Sequence, residues 1–145
     1  AHGVGVVHRD VKPANVMVEA ATGRVLLTDF GLAGVAGDGA VTAEGVVLGT
    51  PYFLAPEILL GRPATPQTDL FSLGGVLYLL AAGVLPFPGA TIHEVSRAIA
   101  EVDPPPPSAV RPGVPAAAEQ IIRRLLDKNP AARYATAAEV VAALA

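Results

Sequence analysis

The stretch TPQTDLFSLGGVLYLLAAG, residues 65–83, constrains the fold of this 145-residue chain more than any other part of it. Thr65 and Pro66 fit an N-cap and a first helical position, and Gly83, followed by Pro86, fits the stop. Between them the residues are apolar nearly all round, which predicts a helix buried on every side. The apolar run contains a Ser and three glycines and ends at a Pro. It falls short of the roughly 20 unbroken apolar residues that cross a membrane, so the expectation is the central helix of a globular unit.

A helix of that kind needs a shell, and the flanking sequence supplies one. TIHEVSRAIAE opens with Thr91-x-x-Glu94, and the last helix opens with Thr136-x-x-Glu139, both capping boxes. AAAEQIIRRLLDK has its apolar residues at 121, 122, 125 and 126, one helical face. DPPPPSAVRPGVP is expected to be an extended connector with polyproline character. Earlier in the chain, VMVEAATGRVLL predicts two short strands, Val16–Glu19 and Val25–Thr28, around a turn at Ala21–Gly23. Residues 31–48 are rich in Gly and Ala and predict a long, mobile loop of the kind that is functional or disordered. GVAGDGAVT within it does not fit the phosphate-cradling pattern G-x-G-x-x-G before a helix. The whole is a single domain's length of chain, mainly α with a short β hairpin and no internal repeat.

Composition narrows the function. Apolar residues make up 52% and mean hydropathy is +0.49, yet aromatics are 5% and Trp is missing. Ala, Val and Leu must therefore fill the core, and an apolar face made for a partner is expected on the surface. The net charge is −3, the ten cationic residues are scattered, and the longest basic run is Arg123–Arg124, which argues against nucleic acid. With no cysteine there is no disulfide or thiolate site. His2, His8 and His93 lack zinc-ligand spacing; His2 and His93 are expected at the surface or capping a turn, His8 in the core. No basic segment followed by an apolar stretch marks a secretion signal at the start, so an intracellular, cytoplasmic chain is expected.

The chemistry is concentrated in VVHRDVKPANVMV, residues 6–18, and LLTDFGLA, residues 26–33. Phosphoryl transfer needs a carboxylate to orient a hydroxyl, a Lys against developing phosphate charge, and hard oxygen ligands for a divalent cation. Asp10, Lys12 and Asn15 offer these on one short segment, with Pro13 stiffening the turn. Asp29, at the end of the second strand, supplies another hard ligand, and a hairpin can bring it to the same side as Asn15. Taken singly, each of these is equally a turn or surface residue.

Together they resemble the eukaryotic-type (Hanks-type) serine/threonine protein kinase family. HRDVKPAN fits the catalytic-loop pattern H-R-D-x-x-x-x-N, DFG at 29–31 the metal-binding motif, and APE at 55–57 the end of the activation segment. DLFSLGGVLYLLAAGVLPFPG is similar to the family's central helix, and LLDKNPAARYATAAEVV to its closing helices. The resemblance implies the C-terminal lobe of the kinase α+β fold over residues 1–145, with an activation segment at 29–57 and a helical substrate-binding lobe at 58–145. It implies that Asp10 accepts the substrate hydroxyl's proton, that Lys12 lies against the transferring phosphate, and that Thr50 bridges the two. It implies Asn15 and Asp29 as Mg²⁺ ligands, Phe30 as the switch behind Asp29, and Met17 beneath the adenine of ATP. Arg9 would clamp an activation-loop phosphate, for which Thr42 is the hydroxyl candidate. Glu57 would pair with Arg133, and Asp69 would accept hydrogen bonds from the backbone around His8 and Arg9. Lys12 and Thr50 mark the serine/threonine form.

The resemblance also implies a partner. The family's N-terminal β lobe, with its glycine-rich lid and strand Lys, has no counterpart here: the two lysines are Lys12 and Lys128. The chain is therefore expected to be the later part of a kinase domain, inactive alone, with AHGVGVV the end of a preceding helix. Composition rich in Ala, Val, Gly, Pro and Arg points to a high-GC bacterial source, similar to bacterial receptor-type kinases whose membrane anchor lies elsewhere. The alternative is a non-catalytic, kinase-like module that docks partners through its helices.

Overall fold

The computed structural model describes residues 2–30 and 51–145. After a 3-10 turn at His2–Val4 and another at Pro13–Asn15 comes a two-stranded antiparallel sheet, β1 (Val16–Val18) and β2 (Val25–Leu27). Val16 faces Leu27, Met17 faces Leu26 and Val18 faces Val25. Gly23 closes the turn between them at φ 70°, a backbone that glycine adopts without strain. Among the described residues six α-helices follow: α1 (Pro56–Leu59), α2 (Pro66–Ala82), α3 (Ile92–Glu101), α4 (Pro107–Val110), α5 (Ala116–Leu125) and α6 (Ala137–Leu144). Among the described residues, none of them is long and apolar enough to cross a membrane.

The expected central helix is α2. The Thr65 N–H donates to Thr68 Oγ1 at 3.0 Å, Pro66 takes the first helical position, and Gly83 ends the helix left-handed at φ 77°. Its residues are buried on most sides: Leu70, Phe71, Val76 and Tyr78 are each at most 5% exposed. Around it lie two apolar clusters. Phe71 and Tyr78 join Phe87, Val95, Ile99, Ile122 and Leu126; Leu70 joins Ile121, Leu125, Tyr134 and Val140. Each such side chain contributes about 1.5–3 kcal/mol by leaving water. Close approach of α5 explains Gly74, where a Cβ would stand 2.8 Å from the Leu125 Cβ.

The two capping threonines accept as expected: the Glu94 N–H donates to Thr91 Oγ1 and the Glu139 N–H to Thr136 Oγ1, each at 3.2 Å. The proline segment departs from the fully extended connector. It holds a turn of helix, α4, because Pro107 sits where a helix has no use for an N–H, and Glu119 Oε2 accepts from the Ser108 N–H at 3.0 Å. The strands are each one residue shorter than predicted, ending at Val18 and Leu27. Before the site stands the single 3-10 turn His2–Val4, a form common at helix ends.

The apolar surface expected for a partner is present. Val18, Val25, Met17 and Leu80 are each more than half exposed, and a largely apolar groove of about 1140 Å³ runs between the hairpin, α2 and the start of α6.

Candidate active site

The site is built on a backbone that does not hold itself. Arg9 has φ 72°, a left-handed conformation that a long side chain rarely adopts. The Asp69 carboxylate, buried on α2, holds it there: Oδ2 accepts from the His8 N–H at 2.7 Å and Oδ1 from the Arg9 N–H at 2.8 Å. His2 Nε2 lies 2.7 Å from the same Oδ2, a partner that the spacing of the histidines does not reveal.

His8, 1% exposed, ties this loop to the hairpin. The Asp10 N–H donates to its Nδ1 at 3.2 Å, so the proton of the neutral ring is on Nε2, which donates to the Thr28 carbonyl at 2.7 Å. The Phe30 ring meets His8 edge-on, with centroids 4.6 Å apart, while Phe30 itself is about half exposed.

From that base the polar side chains converge on Asp10. Lys12 Nζ donates to Asp10 Oδ2 at 2.8 Å, both side chains being partly exposed. Buried Asn15 spends its amide N–H groups on Asp10, donating to the carbonyl at 2.8 Å and to Oδ2 at 3.0 Å. The carbonyl of Asn15 in turn accepts from the Thr28 N–H at 2.8 Å and from the Thr28 hydroxyl at 3.2 Å. This pairing continues the hairpin ladder and sets Asp29, the next residue, beside the base of the same hairpin. Asp29 is exposed and also left-handed, at φ 59°. Met17, on β1, is 56% exposed. Thr42 and Thr50 lie outside the described residues.

A second polar cluster ties residues 51–57 to the helices. Glu57 takes a bidentate fork from Arg133, with Nη1 to Oε1 at 2.8 Å and Nη2 to Oε2 at 2.9 Å, and also accepts from the Thr68 hydroxyl at 3.0 Å. Burial alone would raise the Glu57 carboxyl. The Arg133 guanidinium and the hydrogen bonds to Glu57 overturn that and leave it below the usual carboxylate range. Arg133 also donates to the carbonyls of Asp127, Gln67 and Lys128. Ser72, from α2, donates to the Phe53 carbonyl at 2.6 Å. Thr68 and Ser72 carry no motif, and their roles follow only from how α2 lies beneath Phe53 and Glu57.

Across residues 1–143 the chain matches the family described as protein kinase domain. It is 42% identical over 134 residues to the serine/threonine-protein kinase PknA of Mycobacterium tuberculosis, covering 92% of this chain and 30% of PknA. PknA of Mycobacterium bovis gives the same figures. To the serine/threonine-protein kinase PknB of Mycobacterium tuberculosis it is 41% identical over 146 residues, covering 99% of this chain and 23% of PknB. The chain thus spans less than a third of the length of these curated relatives. With the HRD, DFG and APE motifs in family order on a helical fold with a two-stranded sheet, the chain belongs to the Hanks-type serine/threonine protein kinase family.

Proposed function

We propose that these residues are the catalytic and substrate-binding lobe of a protein kinase that transfers the γ-phosphoryl group of Mg-ATP to Ser or Thr hydroxyls of proteins. The observation that supports this reading is the Asp10 carboxylate, fixed between Lys12 Nζ and Asn15 Nδ2 yet 44% exposed. A carboxylate oriented by two donors and open to solvent is suited to accept a substrate hydroxyl's hydrogen bond and then its proton. Lys12 lies close enough to place its charge against a phosphoryl group arriving at that hydroxyl. Thr50 would bridge Asp10 and Lys12 in the active arrangement.

The donor chemistry fits a magnesium ion. Asn15 commits its amide nitrogen to Asp10, so its Oδ1 is the atom left to face a cation, and Asp29 presents an exposed carboxylate. Those two residues would hold the ion, which when bound neutralises charge on the phosphates. Phe30, against His8, sets the posture of Asp29; Met17 offers an exposed apolar side chain to the adenine of ATP. Arg9 suits an activation-segment phosphate, with Thr42 its candidate carrier inside residues 29–57. Glu57–Arg133 and Asp69 hold the lobe in shape, and residues 58–145 would dock the protein substrate. The remaining kinase lobe is the partner this reading requires, and the cytoplasm its setting.

The test is phosphotransfer by the full-length protein. Asp10→Asn should lower kcat by about 10²–10⁴-fold with its circular dichroism unchanged. A variant within tenfold of the parent would remove Asp10 from the reaction.

A further inference from the structure

Three donors meet the Asp69 carboxylate, and two of them are backbone groups of the candidate catalytic loop. The third is His2, whose Nε2 stands 2.7 Å from Oδ2, the oxygen that the His8 N–H already uses. Facing a carboxylate oxygen, that nitrogen carries a proton and donates it. Local backbone brings it there. The Gly5 N–H donates to the His2 carbonyl at 2.9 Å, and Gly5 turns left-handed at φ 75°, so that residue 2 and residues 8–9 reach one carboxylate. No neighbouring side chain can take the place of His2. Among the described residues it is the only basic side chain within salt-bridge distance of Asp69. His8, in the same groove wall, is committed to the Asp10 N–H and the Thr28 carbonyl, and apart from Thr136 the other residues lining that groove are apolar. The last torsion of an Asp side chain has no sharp preference of its own, so hydrogen bonds decide where its two oxygens point.

We propose that His2 is a positioning residue for phosphoryl transfer: it locks the Asp69 carboxylate in the orientation that holds Arg9 left-handed and aims the next residue, Asp10. The proposal rests on the reading of Asp10 as the group that accepts the substrate hydroxyl's proton. Without His2, Oδ2 keeps one donor, the carboxylate can turn, and the His8 and Arg9 N–H groups lose a fixed pair of acceptors. The left-handed backbone at Arg9, φ 72°, then lacks the support that over-determines it. The one hydrogen bond of the His2 side chain is to Asp69, so its loss should act on the rate of the chemical step and leave the KM values for ATP and for protein substrate within about twofold of the parent.

The test uses the full-length protein with Mg-ATP and a protein substrate, the folded fraction of each variant being read by circular dichroism. His2→Ala and His2→Phe both remove the donor, and Phe keeps a ring in its place. Each should lower kcat per folded molecule about tenfold, the size expected for one hydrogen bond to a charged group. His2→Gln puts an amide N–H at nearly the same reach and should stay within about threefold of the parent. Backbone hydrogen exchange over residues 6–12 gives a readout free of catalysis: it should speed several-fold in the Ala and Phe variants and not in the Gln variant. A Phe variant that matches Gln in both readouts, or three variants that all match the parent, would overturn the proposal. Asp10→Asn, assayed alongside, separates the two readings. Its rate lost while His2→Ala stays fully active overturns the role of His2 alone; its rate kept overturns the reading of Asp10, whatever His2 does.

Discussion

Removing Glu57 tests how residues 51–57 are fastened to the helical body. The Glu57–Arg133 pair is almost fully buried, with side-chain exposures of 5% and 0%. Glu57→Ala deletes two charged hydrogen bonds and the acceptor of the Thr68 hydroxyl, and leaves the Arg133 cation without its counter-charge. Stranding one member of a buried ion pair costs about 3–5 kcal/mol. Arg133 retains the carbonyls of Asp127, Gln67 and Lys128, so the lower end, about 3 kcal/mol, is expected. With a urea slope of about 2 kcal/mol/M, the unfolding midpoint should fall by about 1.5 M. The double variant Glu57→Leu with Arg133→Met should cost less than Glu57→Ala alone, because no charge is then left buried. Acid gives an independent reading. The Glu57 carboxyl lies below its unfolded value, so its contribution is complete above the ordinary carboxylate range and disappears as pH falls through the native value. The gap between the parent and Glu57→Gln should therefore narrow below about pH 4. A Glu57→Ala loss under 1 kcal/mol, or a double variant costing the sum of its parts, would refute the reasoning.

Three further outcomes are expected. Gly74→Ala forces a methyl to 2.8 Å from the Leu125 Cβ, and urea unfolding should show a loss of about 1–3 kcal/mol despite better helix propensity. Tyr78→Phe removes the phenol that donates to the Pro105 carbonyl at 3.0 Å; it should cost about 1 kcal/mol and speed hydrogen exchange around α4. Thr136→Ala removes the cap of α6 and should cost about 1 kcal/mol, read from the thermal midpoint, whereas Gly3→Ala, with open space around it, should cost less than half of that.

Local signals made the helices legible, and non-local ones hid the rest. Thr65, Pro66 and Gly83 bound α2 because caps and stops act within a few residues of the chain. The α4 turn was hidden in a run of prolines: Pro107 opens it, and Glu119, from α5, reaches the Ser108 N–H. Lys128 follows an amphipathic helix, and its burial depends on Phe87 and on the Ile99 carbonyl, neither of them nearby in sequence. The same holds within the site. Asp10, Lys12 and Asn15 are visible because one short turn brings them together. His2 meeting Asp69 is a contact across 67 residues that no periodicity encodes.

That long-range contact bears on how the candidate catalytic stretch and the core helix depend on each other. Arg9 and Asp29 are the two non-glycine residues with positive φ among those described, and both lie in the candidate site. Such backbone costs of order 1–3 kcal/mol for each residue and persists only where its surroundings over-determine it. Asp tolerates the left-handed region, but Arg9 does not without help, and the help is the Asp69 carboxylate, 5% exposed on α2. Its two oxygens fix consecutive N–H groups, and this turns the chain so that the next residue, Asp10, meets Lys12 and Asn15. Asp69 is flanked by Leu70 and Phe71, each 1% exposed in its own apolar cluster. Packing of α2 is therefore spent in part on a strained loop, and the direction of the Asp10 carboxylate is a property of the core as much as of the motif that contains it.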